Sequence, residues 1–207
     1  MRHFFYAALL CGLSTHTFSA DTQYINISIK KDSNISTTIE PNSTNLQIDA
    51  KPLVFRNSTN PNCQQVHLAK FKTALIQAIN EIRKQPRQCG AQYHAATNAL
   101  TWNNTLEKSS YQQAQDLSNR KLLSHTNISG LRLKERLSQV GYQGVTGGEN
   151  LASGQKTVNQ VLNDWMTLSP SHCSNIMTNS YSDYALACVT NPNTGRTYWV
   201  QQFGKKN

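Results

Sequence analysis

The chain lacks a membrane-spanning run. Its one long apolar stretch, Phe4 to Leu13, is too short to cross a bilayer, and no later stretch could serve as an anchor. That run follows Arg2 and precedes a small-residue segment ending Phe18-Ser19-Ala20, the order of a secretory signal peptide, so residues 1–20 are expected to be removed on export. Phe18 departs from the small-x-small rule for cleavage, and Leu10 before Cys11 speaks against a lipoprotein cut. Acidic residues are scarce as well: 11 Asp and Glu face 20 Lys and Arg. Without Arg2 the excess is 8 positive charges, which favours an anionic partner such as a lipid headgroup or a cell-envelope polymer. The basic residues are scattered, however. The densest groups, Lys70 with Lys72, Arg83-Lys84 with Arg87, and Arg132 to Arg136, lie on helical patterns and read as solvated faces. No nucleic-acid-binding motif of a recognised kind occurs, so that class of partner is not expected.

Cysteine is limited to five residues, and Cys11 leaves with the signal. Four remain, at Cys63, Cys89, Cys173 and Cys188, and an even count in an exported chain suggests two disulfides. Cys173 and Cys188 lie close in sequence and are paired here, which leaves Cys63 with Cys89 by elimination. The second bridge requires the chain before an intervening helix to run back alongside it.

From Asp21 to Asn60, 16 of 40 residues are Ser, Thr or Asn, with only short alternation such as Ile25-Asn26-Ile27-Ser28-Ile29. Such a segment buries too little to fold alone, so residues 21–62 read as a flexible arm. Residues 63–207 are of ordinary single-domain size. Leu68, Phe71, Leu75, Ile79 and Ile82 form a helical stripe ended by Pro86. Asn104 with Glu107 reads as a capping box opening a second helix. A third helix carries Leu133, Leu137 and Val140 and stops at Gly141; a fourth, capped by Thr157, carries Val158, Val161, Leu162 and Trp165. Tyr184 to Val189 and Thr197 to Phe203 read as a closing hairpin. Helices followed by antiparallel strands predict an α+β domain.

Three strings carry the candidate chemistry: Ser124-His125-Thr126, Gly147-Gly148-Glu149-Asn150, and Ser169-Pro170-Ser171-His172-Cys173. Histidine and glutamate are the side chains used most for metal ligation and proton transfer near neutral pH. Each also has a plain reading. His125 after a helix end can meet the last carbonyls. Glu149, with no Lys or Arg within five residues, can brace a turn, and His172 beside a disulfide cysteine can simply pack. His67 and His94 read as solvent or helix-end residues. Tyr111, Trp165 and Trp199 read as core. No serine sits in a Gly-x-Ser-x-Gly elbow, which removes the signature of a serine hydrolase.

The order Asn80-Glu81-Ile82-Arg83, Leu100-Thr101-Trp102-Asn103, Ser124-His125-Thr126, Gly148-Glu149-Asn150, Trp165, Ser169 through Met177, and Tyr198-Trp199-Val200-Gln201 resembles the CAP superfamily of cysteine-rich secretory proteins, and most its bacterial secreted branch. The resemblance covers about residues 66–204. It implies a three-layer α/β/α sandwich with a central antiparallel sheet, and a cleft lined by a His and Glu tetrad. By position His125, Glu149 and His172 match three members of that tetrad. The fourth falls on Leu168, so the second carboxylate is absent, and Ala185 stands where the family often has Gly.

The expected function is a secreted, extracellular or periplasmic, monomeric binding module, not an enzyme. Its cleft is expected to take a divalent cation, zinc or similar, held weakly by His125 and His172, together with a lipid or wall-derived ligand. The alternative is a metal-assisted hydrolase with the two histidines on zinc and Glu149 activating water. Two histidines alone make a poor catalytic zinc site, which favours binding.

Overall fold

A computed structural model describes residues 60–206. The expected signal peptide and all but the last three residues of the expected arm lie outside the described residues.

The first apolar stripe forms α1 (Ala69–Arg83), with Phe71, Leu75, Ile79 and Ile82 on its buried face. A short hairpin follows, β1 (Arg87–Cys89) and β2 (Gln92–His94), then the two-residue β3 (Thr101–Trp102). Helix α2 (Asn104–Arg120) is capped by Asn103 and not by Asn104: the Asn103 side chain accepts from the amides of Thr105 and Leu106. The expected capping box fails because Glu107 turns outward to Lys72, at 2.6 Å, and to the Trp102 indole, at 3.1 Å. Helix α3 (Leu133–Gln139) stops at Gly141, whose φ of +78° glycine adopts without strain. Strand β4 (Thr146–Ser153) leads to α4 (Val158–Thr167), capped by the Thr157 hydroxyl. An unforeseen helix, α5 (Pro170–Met177), starts at an N-cap Ser169 with Pro170 in its first turn. The domain closes with β5 (Asp183–Thr190) and β6 (Thr197–Lys205).

The sheet order is β3-β5-β6-β4. Three strands are antiparallel, but β3 runs parallel to β5 through Thr101↔Asp183 and Trp102↔Tyr184, so the sheet is mixed and not wholly antiparallel as expected. Alternation along the strands assigns the two faces. Tyr184, Leu186 and Cys188 of β5, with Trp199 and Phe203 of β6, join residues of α1, α4 and α5 in one large core. Tyr198 and Val200 face α2 through Ala114 and Leu117, and Ala185 packs with Leu106 and Leu137. Helices therefore cover both faces of the sheet.

The disulfides are Cys63–Cys188 and Cys89–Cys173, with Cα atoms 5.1 and 5.5 Å apart, and not the pairs read from proximity in sequence. Cys173 lies in the first turn of α5, which packs on the β1–β2 hairpin, whereas Cys188 sits on β5 beside the chain that enters α1. That entry is anchored further back than residue 63. Val158 donates to the Pro61 carbonyl at 2.9 Å, and Asn62 bridges to Thr157.

Two basic residues read as solvated are buried. Arg83 donates to the carbonyls of Asn98, Ile176 and Thr178 at 2.9, 2.6 and 3.0 Å, tying α1 to the end of α5. Burial lowers its pKa to about 10. Arg136 belongs to the site below. Trp165 and Trp199 are core as expected, but Tyr111 is exposed and stacks edge-on against His67. His67 meets the Cys188 carbonyl at 2.6 Å and His94 meets Ser174 Oγ at 3.1 Å, so neither is a bare solvent residue.

Candidate functional site

His125 lies five residues beyond α2, on a loop pinned by Gln113, whose amide donates to the Ser124 carbonyl at 2.7 Å. Glu149 stands in β4 opposite Gln202, and not in a turn as the string alone suggested. The two glycines ahead of it permit close backbone packing. A Cβ on Gly147 would run into the Phe203 carbonyl, and one on Gly148 would approach the Tyr181 hydroxyl to 2.6 Å.

Both carboxylate oxygens of Glu149 are engaged. Oε1 meets His125 Nδ1 at 2.8 Å; Oε2 accepts from Arg136 Nη2 at 2.7 Å and from Gln202 Nε2 at 2.9 Å. The Glu149 side chain is 2% exposed and that of His125 55%, so the carboxylate is interior while the imidazole faces outward. Glu149 thus has an ion-pair partner 13 residues away, beyond the five-residue neighbourhood that holds no Lys or Arg. Burial pulls the Arg136 guanidinium below its usual pKa, and the Glu149 carboxylate opposes that shift. Arg136 belongs to the α3 face that carries Leu137 inward, and this burial on an apolar stripe was the available signal.

His172 begins α5 on the opposite layer. Its carbonyl accepts from Asn150 Nδ2 at 3.1 Å, and its ring stands edge-on to Trp165 at 6.4 Å. Burial lowers its pKa, and the charge of nearby His125 adds to the effect. No hydrogen bond joins it to His125 or Glu149. Asn150 also bonds Gln201 at 2.8 Å and accepts from Asn175 at 2.9 Å, so a buried amide chain fixes α5 against β4. Leu168, at the tetrad's fourth position, is 75% exposed at the end of α4.

Beside the His125–Glu149 pair lies a cavity of about 650 Å³ between α3, the loop 141–145 and β4. His125 and Glu149 line it with Leu133, Leu137, Tyr142 and Val145; Arg132 and Lys134 add positive charge, and His172 is not part of the lining. Tyr142 forms one wall. Its ring lies so close over Gly144 and Gly204 that neither could carry a side chain, and its hydroxyl donates to Asp183 at 2.8 Å.

The family model for the cysteine-rich secretory proteins (CAP) matches residues 76–203, which include His125, Glu149 and His172. The chain belongs to the CAP family. It is 29% identical over 99 residues to the uncharacterized protein YkwD of Bacillus subtilis (strain 168), a stretch covering 48% of this chain and 37% of YkwD. The matched stretch therefore spans little more than a third of that relative. Among solved structures, an outer surface protein from Borrelia burgdorferi has a TM-score of 0.57 at 23% identity, over 72% of this chain and 100% of that one. An extracellular protein containing an SCP domain from Bacillus anthracis str. Ames also scores 0.57, at 16% identity, over 72% of this chain and 45% of that one. These likenesses establish the CAP fold. CAP family proteins are secreted, and the two disulfides fit that setting. Among the described residues no helix is long and apolar enough to cross a membrane.

The donor set does not fit a catalytic zinc ion. His125 commits Nδ1 to Glu149, the buried Glu149 carboxylate is already paired with Arg136 and Gln202, and His125 Nε2 and the His172 ring are the imidazole nitrogens left as donors. Among the described residues no three His, Cys, Asp or Glu side chains are grouped to hold a metal. Catalytic zinc takes three protein ligands.

Proposed function

We propose that this CAP protein is a secreted, non-enzymatic binding module that takes an anionic lipid or cell-wall-derived ligand in the cavity beside His125 and Glu149. The engagement of Glu149 carries this reading. A carboxylate held by a buried guanidinium, an amide and an imidazole braces the cavity wall and orients His125, which is a structural use of the group. The cavity has the size of a small-molecule site and mixes leucines and a tyrosine with Arg132, Lys134 and the carboxylates of Glu135 and Glu149, of which Glu149 is already paired with Arg136. Arg132 and Lys134 form no ion pair among the described residues, which leaves their charge to an incoming anion.

Vesicles containing phosphatidylglycerol and purified peptidoglycan are the probes, with phosphatidylcholine vesicles as the neutral control. Binding to one of the first two that Arg132→Gln, Lys134→Gln weakens at least fivefold supports the reading. Equal binding to neutral vesicles, or none to any probe, overturns it.

A divalent cation beside that cavity would have His125 and His172 as its protein donors and would bind weakly, losing affinity as falling pH protonates imidazole ligands. Zinc calorimetry at pH 7.5 and 5.5 tests this. Equal binding by wild type and His125→Ala, His172→Ala removes the cation from the proposal. Casein proteolysis abolished by Glu149→Gln would establish the hydrolase reading instead.

A further inference from the structure

We propose a second ligand site at the far end of β4, specific for a carboxylate carrying an apolar chain. It is a cavity of about 540 Å³ lined by Lys121, Leu122, Leu123, Ser153, Thr194, Arg196 and Tyr198, and it shares no residue with the cavity beside His125. Glu149 and Ser153 are four residues apart on one strand, which separates the two places by about 13 Å at the rise of an extended chain.

Three independent observations define the ligand. The first is charge: Lys121 and Arg196 line the cavity and no acidic residue does. Neither forms an ion pair among the described residues. Arg196 is held in place, because its Nε donates to Ser153 Oγ at 2.6 Å, and this leaves both Nη groups for an anion. A guanidinium fixed at one edge presents a planar fork that matches a carboxylate.

The second is Tyr198. It is 3% exposed, with its ring packed in the small core of Ala114, Leu117, Leu151 and Val200. Its hydroxyl has no hydrogen-bond partner among the described residues, although the residue belongs to the cavity lining. The hydroxyl is not an enclosed atom, so it opens into the cavity as a donor with no protein acceptor. A carboxylate oxygen held by Arg196 supplies an acceptor for it.

The third is apolar surface. Leu122 and Leu123 are 53% and 44% exposed, directly beside the two cations. They are presented by Lys121, which ends α2 in the left-handed conformation at φ +55°, where glycine is the usual residue. A lysine there places a cation at the cavity at some backbone cost. An inorganic anion would leave the two leucines uncovered, and a neutral amphiphile would leave the cations and Tyr198 unmatched. An amphiphilic carboxylate satisfies all three features.

The test is NMR of the full chain with labelled leucine methyls, titrated with decanoate, with acetate and decanol as controls for the tail and the head. Decanoate should perturb the Leu122 and Leu123 methyls at concentrations at least tenfold below those at which acetate or decanol does so. Arg196→Gln should weaken decanoate at least tenfold, and Tyr198→Phe, which keeps the ring in the core, by about threefold. The proposal falls if decanoate leaves these methyls unmoved, if its perturbations centre on Leu133 and Leu137 of the other cavity, if decanol binds equally well, or if Arg196→Gln binds undiminished. Because the readouts lie outside the His125 cavity, failure here leaves the reading of that cavity standing, and the reverse also holds.

Discussion

The two faces of the sheet are built on different physics. On one face, α1, α4 and α5 enclose a continuous apolar core that includes Trp165, Trp199, Tyr184 and Phe203, and both disulfides belong to it. On the other, α2 and α3 cover two small clusters, and much of what lies between them is polar: Arg136, Glu149, Gln202 and Gln113. Burial of apolar area and covalent closure carry most of the first face, where His172 on α5 is the pH-sensitive group. The second depends on charges and amides that must stay matched, since an unpaired buried charge is costly. The candidate site sits on the second face, where a polar interior can orient an outward-facing histidine.

Cutting the first face should have the largest effect. Cys63→Ser, Cys188→Ser opens a loop of 125 residues, and chain entropy puts the loss at about 4–5 kcal/mol. Denaturant unfolding of the double variant against wild type measures it. On the second face, Arg136→Met strands the Glu149 carboxylate, with an expected loss of about 3 kcal/mol. Adding Glu149→Gln should recover a large part of that, and a recovery below about 1 kcal/mol would mean the pair is not the unit that holds this face. If Arg136→Met costs more than the disulfide, the ranking of the two faces inverts.

A smaller effect is expected for Tyr142→Phe, which keeps the wall of the cavity and removes the bond to Asp183, a loss of about 1 kcal/mol. Thermal unfolding resolves a change of that size.

The smallest effect limits the contrast, because it places a pH-sensitive group on the first face. The folded protein holds the His172 pKa below its ordinary value of about 6.5, by burial first and by the charge of His125 second. The unfolded chain therefore binds the proton more readily, and stability falls as pH drops through about 6.5 toward the folded value. His172→Gln should flatten the stability profile between pH 7.5 and 5.5. An unchanged slope would assign the pH dependence to other groups.

Much of this architecture was legible because it is periodic or local. The α1 stripe is set by spacings of 3 and 4 among large apolar residues, the Thr157 cap by a hydroxyl three residues before the amide it accepts from, and the β5–β6 hairpin by alternation around Asn191 to Gly195. Helix α5 was missed although its Ser-Pro start is a local signal, because its eight residues are too few to show a repeat. Strand β4 was missed because Gly147, Gly148, Glu149 and Asn150 have little strand propensity. Pairing with β6, and side chains on its outer carbonyls, Asn175 at Glu149 and Trp165 at Leu151, stabilise it instead.

What the sequence by itself determined was the set of parts: the helical stripes, the closing hairpin, four cysteines in the described domain, and the His125, Glu149 and His172 strings in family order. Tertiary structure alone decided their partners. Cys188 meets Cys63 and Cys173 meets Cys89 because α5 packs on the β1–β2 hairpin while β5 runs beside the chain entering α1. Glu149 meets Arg136 because successive residues of a strand face opposite layers, which sends Glu149 toward α3 and Asn150 toward α5. Local chemistry specifies which groups can bond, and only the packed layers bring residues 13 or 125 positions apart within reach.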